Sequence, residues 1–140
     1  CFPSQKGIVH TGAKEAVAAI EGEDDMILVV SKTSCGACEE FQLVMEEITD
    51  VYDIRITEVY MDEEPLKDEV TGTVSYPEYE QLEQYIGLVG GTPSVFFIKG
   101  GVIKGVFTGA VSYDTFKKKI EKYGFLPEAQ EDSQTDSESE

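Results

Sequence analysis

The sequence predicts an α/β fold of three layers, with helices on both faces of one central mixed sheet. Three observations lead there. Short apolar runs alternate with stretches of helical periodicity along the first half of the chain. A glycine turn, Lys99-Gly100-Gly101, joins two strand-like runs near the end, which adds antiparallel strands. Hydrophobic residues make up 41% of 140 residues, enough for the core of one domain of ordinary size.

Taken in order, Lys6 to Thr11 reads as a first strand around Ile8 and Val9. Gly12 to Gly22 reads as a helix whose apolar stripe is Ala13, Ala16, Val17, Ala19 and Ile20, ended by Gly22. Met26 to Ser31 is a second strand, followed by the polar turn of Lys32, Thr33 and Ser34. From Cys35 to about Tyr52 the apolar residues Phe41, Val44, Met45, Ile48 and Tyr52 recur at three- and four-residue steps, with acids between them. Ile54 to Met61 reads as a third strand, with an apparent phase slip between Ile56 and Val59. Residues 62–77 are polar and turn-rich. Tyr79 to Ile86 is a short helix, Val95 to Ile98 a strong strand, Val102 to Phe107 its hairpin partner, and Tyr113 to Tyr123 a last helix ended by Gly124. The alternation at the start favours parallel pairing and the late hairpin antiparallel pairing.

Cys35-Gly36-Ala37-Cys38 carries the chemistry. Two cysteines three apart, where a strand hands over to a helix, can close a small disulfide ring and reopen it. A helix N-terminus has partial positive charge and unpaired N–H groups, and both stabilise a thiolate, the attacking species in disulfide exchange. Cys35 is therefore the expected nucleophile, forming a mixed disulfide, and Cys38, one turn further in, the resolving thiol. Two blander readings compete: a purely structural pair, or a metal site. Zinc takes four ligands, and besides this pair the chain has only Cys1 and His10, so no metal and no organic cofactor is expected. His10 reads as a polar residue at a strand end. Gly91-Thr92-Pro93-Ser94 precedes the strongest strand; by itself it reads as an ordinary trans proline opening a strand, since proline cannot donate to a ladder.

Charge excludes other classes of function. The formal net charge is −17, which repels nucleic acid. Residues 35–85 hold 15 acids against Arg55 and Lys67, and residues 99–123 hold six lysines against Asp114 and Glu121. Solvated helix faces account for this, with steering of a basic partner as the alternative. No run of about 18 apolar residues exists to span a bilayer. Residues 127–140 carry six acids, no base and no large apolar side chain, and read as a disordered acidic tail.

The dithiol and the proline loop together resemble the thioredoxin superfamily, in which a Cys-x-x-Cys motif follows a central strand and a cis-proline loop precedes the hairpin. Thr92 to Gly101 is similar to the family's proline–strand–turn segment, and Thr108-Gly109-Ala110 to its glycine turn before the final helix. The resemblance covers about residues 6–124. It implies a cis Pro93 and a substrate groove formed by Ser34, Gly36, Ala37, Gly91, Thr92, Pro93, Gly109 and Ala110. It also implies protein thiol or disulfide substrates and a partner that resets the pair. The chain departs from the family's reducing members. Ser34 and Ala37 stand in place of Trp and Pro, and Val29 and Val30 are apolar where a buried Asp assists the second cysteine. Glu58, where the family often has Lys, is a candidate replacement proton acceptor; the alternative is an exposed or edge carboxylate. These changes bear on the direction of the reaction rather than its chemistry. In outline the chain is similar to Gram-positive thioredoxin-like proteins of the bacteriocin transport accessory type, through its short N-terminal βα unit and the Ser34-Cys35 lead.

The expected organisation is a tether over residues 1–5, a domain over 6–126 with a longer surface segment at 62–84, and the tail. The start at Cys1, with no initiator methionine, reads as a processed or trimmed form. A lipidated Cys1 would anchor an extracytoplasmic domain stably to a membrane, where disulfides persist; a cytoplasmic monomer with an arbitrary chain start is the alternative. The functional expectation is a monomeric thiol–disulfide oxidoreductase. The competing expectation is a non-catalytic adaptor that holds a peptide in the Pro93 groove.

Overall fold

A five-stranded sheet organises the molecule, its strands in the spatial order Gly7–His10, Arg55–Tyr60, Met26–Ser31, Ser94–Lys99 and Val102–Thr108, in a computed structural model that describes residues 7–126. The expectations for Cys1 and residues 1–5, for Lys6 and for the tail at 127–140 lie outside the described residues. The elements in chain order are β1 (Gly7–His10), α1 (Ala13–Glu21), β2 (Met26–Ser31), α2 (Gly36–Val51), β3 (Arg55–Tyr60), β4 (Leu66–Lys67), β5 (Val74–Ser75), α3 (Pro77–Ile86), β6 (Ser94–Lys99), β7 (Val102–Thr108) and α4 (Tyr113–Lys122). β1, β3 and β2 run parallel, while β6 pairs antiparallel with β2 and with β7.

The two faces of the sheet hold two apolar cores. Ala13, Ala16 and Ile20 of α1 and Tyr79, Leu82 and Ile86 of α3 pack on Leu28, Val30, Val59 and Phe96. On the other face Phe41, Met45 and Ile48 of α2 and Phe116 and Ile120 of α4 pack on Ile27, Val29, Ile56, Val95 and Phe97. Each Val, Leu, Ile, Phe or Met side chain among them, fully withdrawn from water, contributes roughly 1.5–3 kcal/mol. Every residue of β2 is buried, as expected of a central strand covered on both faces.

The phase slip expected in β3 is absent, because β3, like β2, is covered on both faces. The strand is regular, in register with β1 and β2. Ile56 enters the α2–α4 core and Val59 the α1–α3 core, so apolar residues of both parities are buried. Residues 62–77 hold more order than their polar composition suggested. Leu66 and Lys67 pair with Ser75 and Val74 in a small hairpin, closed by the Asp68 carboxylate, which accepts from the N–H groups of Val70 and Thr71. α3 begins at Pro77 rather than Tyr79, because proline is preorganised for the first helical position.

Gly100 and Gly101 turn the β6–β7 hairpin at φ +59° and +79°, the left-handed pair that a two-residue turn requires. A side chain at Gly101 would also stand 2.8 Å from the Ile20 carbonyl oxygen, so the hairpin tip seats on the end of α1.

Candidate active site

The dithiol sits at the end of β2, where the two parallel neighbours β2 and β3 also end. Cys35 is the N-cap of α2, with extended backbone (φ −118°, ψ 112°). Its sulfur accepts from the Cys38 N–H at 3.1 Å, one of the N–H groups left unpaired at a helix start. Cys35 and Cys38 are joined in a disulfide, with Cα atoms 5.2 Å apart. Cys35 is partly exposed and Cys38 is buried, 7% exposed. Cys35 is thus the more exposed residue of the pair.

The proline loop faces it. The Thr92–Pro93 bond is cis. Thr92 Oγ1 lies 3.3 Å and the Thr92 carbonyl oxygen 3.7 Å from Cys35 Sγ. Pro93 is itself buried, and its carbonyl accepts from the Gly109 N–H at 2.8 Å, which ties the loop to the turn after β7. The Ser94 hydroxyl donates to the Gly91 carbonyl at 2.7 Å and lies 3.0 Å from Thr108 Oγ1, fixing the loop from its other side. Ser34 and Gly36 are exposed and Ala37 half-buried beside the disulfide. A pocket of ≈ 360 Å³ opens here between Lys32, Ser34, Cys35, Cys38, Gln42 and Tyr60.

Beneath α2 lies a buried carboxylate. Glu58 is 4% exposed, because β3 runs between β1 and β2, so it is neither an exposed nor an edge residue. Its register partner on β2 is Val29, the apolar residue of the strand that leads to the dithiol. The Ser31 hydroxyl donates to Glu58 Oε2 at 3.0 Å. Burial pushes the Glu58 carboxyl above its ordinary value, against the Ser31 hydrogen bond and the proximity of His10. A second recess, of ≈ 450 Å³, reaches Glu58 past Gln42, Glu46 and Thr49 of α2 and His10 of β1. Gln42 borders this recess and the dithiol pocket alike.

His10 ends β1, half-exposed, with Nε2 2.9 Å from the Glu63 carboxylate and its ring edge-on to Tyr60. Among the described residues no group of three His, Cys, Asp or Glu side chains is arranged to hold a metal ion, and no helix is long and apolar enough to cross a membrane.

Four contributors were not singled out from the sequence: Ser31, Gln42, Tyr60 and Asp62. Tyr60 lines the dithiol pocket. Its hydroxyl is pushed up by burial first and then by the carboxylates of Glu58, Glu63, Asp62 and Glu39. Asp62 accepts from the Thr33 N–H and hydroxyl. Ser31 was legible only as the polar end of an apolar strand, and Asp62 only as an acid following one.

Comparison with known proteins agrees with this geometry. The model of the thioredoxin-like domain matches residues 12–124. Thioredoxin f from spinach chloroplast superposes with a TM-score of 0.65 at 17% identity, over 87% of this chain and 98% of the other. A thioredoxin from Halobacterium salinarum gives 0.65 at 17% identity, over 91% and 99%. Thioredoxin O1 from Arabidopsis thaliana in its oxidised state gives 0.60 at 20%, over 83% and 96%. No curated protein matches the sequence. With a dithiol at the start of α2, a proline loop opposite and a family model spanning nearly the whole described chain, this protein belongs to the thioredoxin-like domain family.

Proposed function

We propose that the chain is a thiol–disulfide oxidoreductase acting on protein substrates, with Cys35 as nucleophile and Cys38 as resolving thiol. The observation that carries the reading is the partly exposed Cys35 sulfur, held at a helix N-terminus by the Cys38 N–H and facing Thr92. A thiolate at this position keeps that hydrogen bond and the favourable end of the helix dipole.

In the reducing direction the Cys35 thiolate attacks one sulfur of a client disulfide. A Cys35–client bond forms, the client S–S bond breaks, and the departing client sulfur leaves as a thiolate and takes a proton from solvent. Cys38 then loses its proton and attacks Cys35 Sγ. The Cys35–Cys38 bond forms and the second client sulfur leaves with the remaining electron pair. The client is reduced by two electrons and the pair is oxidised. The oxidising direction is the reverse of the same steps. The cysteine pair itself carries the electrons, and a separate redox partner resets it. A single copy of the chain holds all the groups these steps use.

Glu58 is the proton acceptor for Cys38 in this reading. Support comes from its burial, its raised carboxyl, its place beside Val29, and Gln42, which borders both its recess and the dithiol pocket. A carboxyl raised toward neutrality takes and returns a proton more readily than an ordinary one. The recess between Gln42, Glu46 and His10 leads from Glu58 to the surface. The groove for the client backbone is formed by Gly91, Thr92, Pro93 and Gly109 opposite Ser34, Gly36 and Ala37.

The test is a redox equilibrium of Cys35/Cys38 against graded dithiol buffers, read by thiol alkylation. A reversible two-electron transition is expected. A potential of about −270 mV marks a reductant and one of about −120 mV a disulfide-forming catalyst. With no reversible transition the reading fails and a non-catalytic peptide-binding adaptor takes its place.

A further inference from the structure

We propose that Asp62 is a positioning residue for the nucleophile. Its carboxylate holds the loop between β2 and α2 in the conformation that presents Cys35 as the helix N-cap. The inference builds on the oxidoreductase reading and concerns a residue outside the cysteine pair, its groove and its proton acceptor.

Asp62 is the second residue after β3 and the first of the longer surface segment at 62–84. The Thr33 N–H donates to Asp62 Oδ1 at 3.2 Å and to Oδ2 at 3.3 Å, and the Thr33 hydroxyl donates to Oδ2 as well. Both hydrogen-bonding groups that Thr33 can offer as donors are thus held by one carboxylate. Thr33 lies two residues before Cys35.

Ser34 stands between them at φ +58°, the left-handed region. A residue with a side chain adopts that region at a conformational cost, and it persists only where the surrounding structure holds it. On one side of Ser34 the hold is α2. On the other it is Thr33 and, before it, the Ser31 carbonyl, which accepts from the Met61 N–H at 2.9 Å. Asp62 and Met61 therefore grip the loop from the same stretch of chain. With Thr33 released, Ser34 relaxes out of the left-handed region and turns the Cys35 backbone. The Cys38 N–H then loses its alignment with Cys35 Sγ.

The carboxylate has a second, opposing influence on the site. Burial raises the Asp62 carboxyl, but the Thr33 hydroxyl and N–H, its own N–H and the nearby Lys32 outweigh it, so the group lies below its ordinary value and is ionised at neutral pH. A negative charge near Cys35 disfavours the thiolate. Positioning and charge therefore move the Cys35 thiol in opposite directions. Removing Asp62 raises the thiol pKa if positioning dominates and lowers it if charge dominates.

Four full-length variants test this: Asp62→Ala, Thr33→Val, Thr33→Ser and the Asp62→Ala/Thr33→Val double variant. For each, the Cys35 alkylation rate is measured against pH in the reduced protein, together with the exchange rate on a small peptide disulfide. Asp62→Ala is expected to slow exchange roughly 10- to 100-fold, the scale of a misplaced reacting group, with a raised Cys35 thiol pKa. Thr33→Val is expected to show part of that loss and Thr33→Ser, which keeps the hydroxyl, almost none. The double variant is expected to be no slower than Asp62→Ala. The proposal is overturned by unchanged Asp62→Ala rates, by a lowered Cys35 thiol pKa in that variant, or by losses that multiply in the double variant. A parent protein that exchanges no disulfide would instead sink the oxidoreductase reading, while the alkylation profiles would still report on Asp62.

Discussion

The Ser31 hydroxyl and the Glu58 carboxylate meet at 3.0 Å across the β2–β3 pair, beneath the helix that carries the dithiol. The pair places an ionisable group next to Val29, on the strand that leads directly into the active-site loop. A carboxylate in that position costs desolvation and is retained here with one hydrogen bond to offset it.

Glu58 holds its proton more firmly in the folded protein than in the unfolded chain. Its folded-state carboxyl lies above the ordinary value. The native state therefore holds a proton that the unfolded chain has already released, and stability falls as pH rises from the unfolded value through the folded one. Glu58→Gln, which cannot ionise, is expected to raise the unfolding midpoint at pH 7 and to flatten that pH dependence. The same variant is expected to slow resolution of the mixed disulfide roughly 10²-fold, the lower end for general-base catalysis, while leaving the initial attack unchanged. Denaturant titrations across pH and single-turnover exchange kinetics read the two effects separately. Unaltered resolution would remove Glu58 from the mechanism.

The two sulfurs are unequal, and their variants should differ in kind. Cys35 is partly exposed and Cys38 buried. Cys35→Ser is expected to abolish exchange. Cys38→Ser is expected to keep the first step and accumulate a mixed disulfide with a client peptide, visible as a mass adduct. Adducts on Cys38 in a Cys35→Ser variant would reverse the assignment.

Charge around the pocket predicts a client preference. Glu39, Asp62 and Glu63 all act on Tyr60, which lines the dithiol pocket, and residues 35–85 hold 15 acids against two bases. Peptide disulfides flanked by lysines should react faster than those flanked by glutamates. The difference should shrink as ionic strength rises and the screening length falls toward about 3 Å at 1 M salt. Equal rates at low salt would leave the acidic residues as solvated surface.

Tyr79 offers a test of packing remote from the chemistry. Tyr79 is 4% exposed in the α1–α3 core, and its buried hydroxyl has no hydrogen-bond partner among the described residues. Burial first and Glu83 second push that hydroxyl up to about 12. Tyr79→Phe removes the unpaired group and keeps the ring. It is expected to stabilise the fold by about 1 kcal/mol in denaturant titration, with no change in exchange rate. A destabilised variant would mean that the hydroxyl is hydrated.

Much of this architecture was legible locally. The strand-to-helix handover at Cys35 could be read because apolar period, turn residues and cysteine spacing all lie within one stretch of chain. The β6–β7 hairpin was legible in two adjacent glycines. Glu58 was legible only as a candidate, because a lone acid in a strand reads alike at an edge and in the centre. Its burial follows from β1 pairing on the far side of β3, a contact between residues about 48 positions apart that local periodicity does not encode. The apparent slip in β3 has the same origin: a strand covered on both faces shows apolar residues of both parities.

The sequence by itself determined the alternation of elements, the position of the dithiol at the start of a helix, and the proline-led strand, since each depends on near neighbours and on side-chain type. Only the tertiary structure decided the strand order, the meeting of Thr92 with Cys35, the burial of Glu58 on Ser31, and the hold of Asp62 on Thr33. These depend on which distant segments pack together, and the two cores on opposite faces of one sheet set that packing.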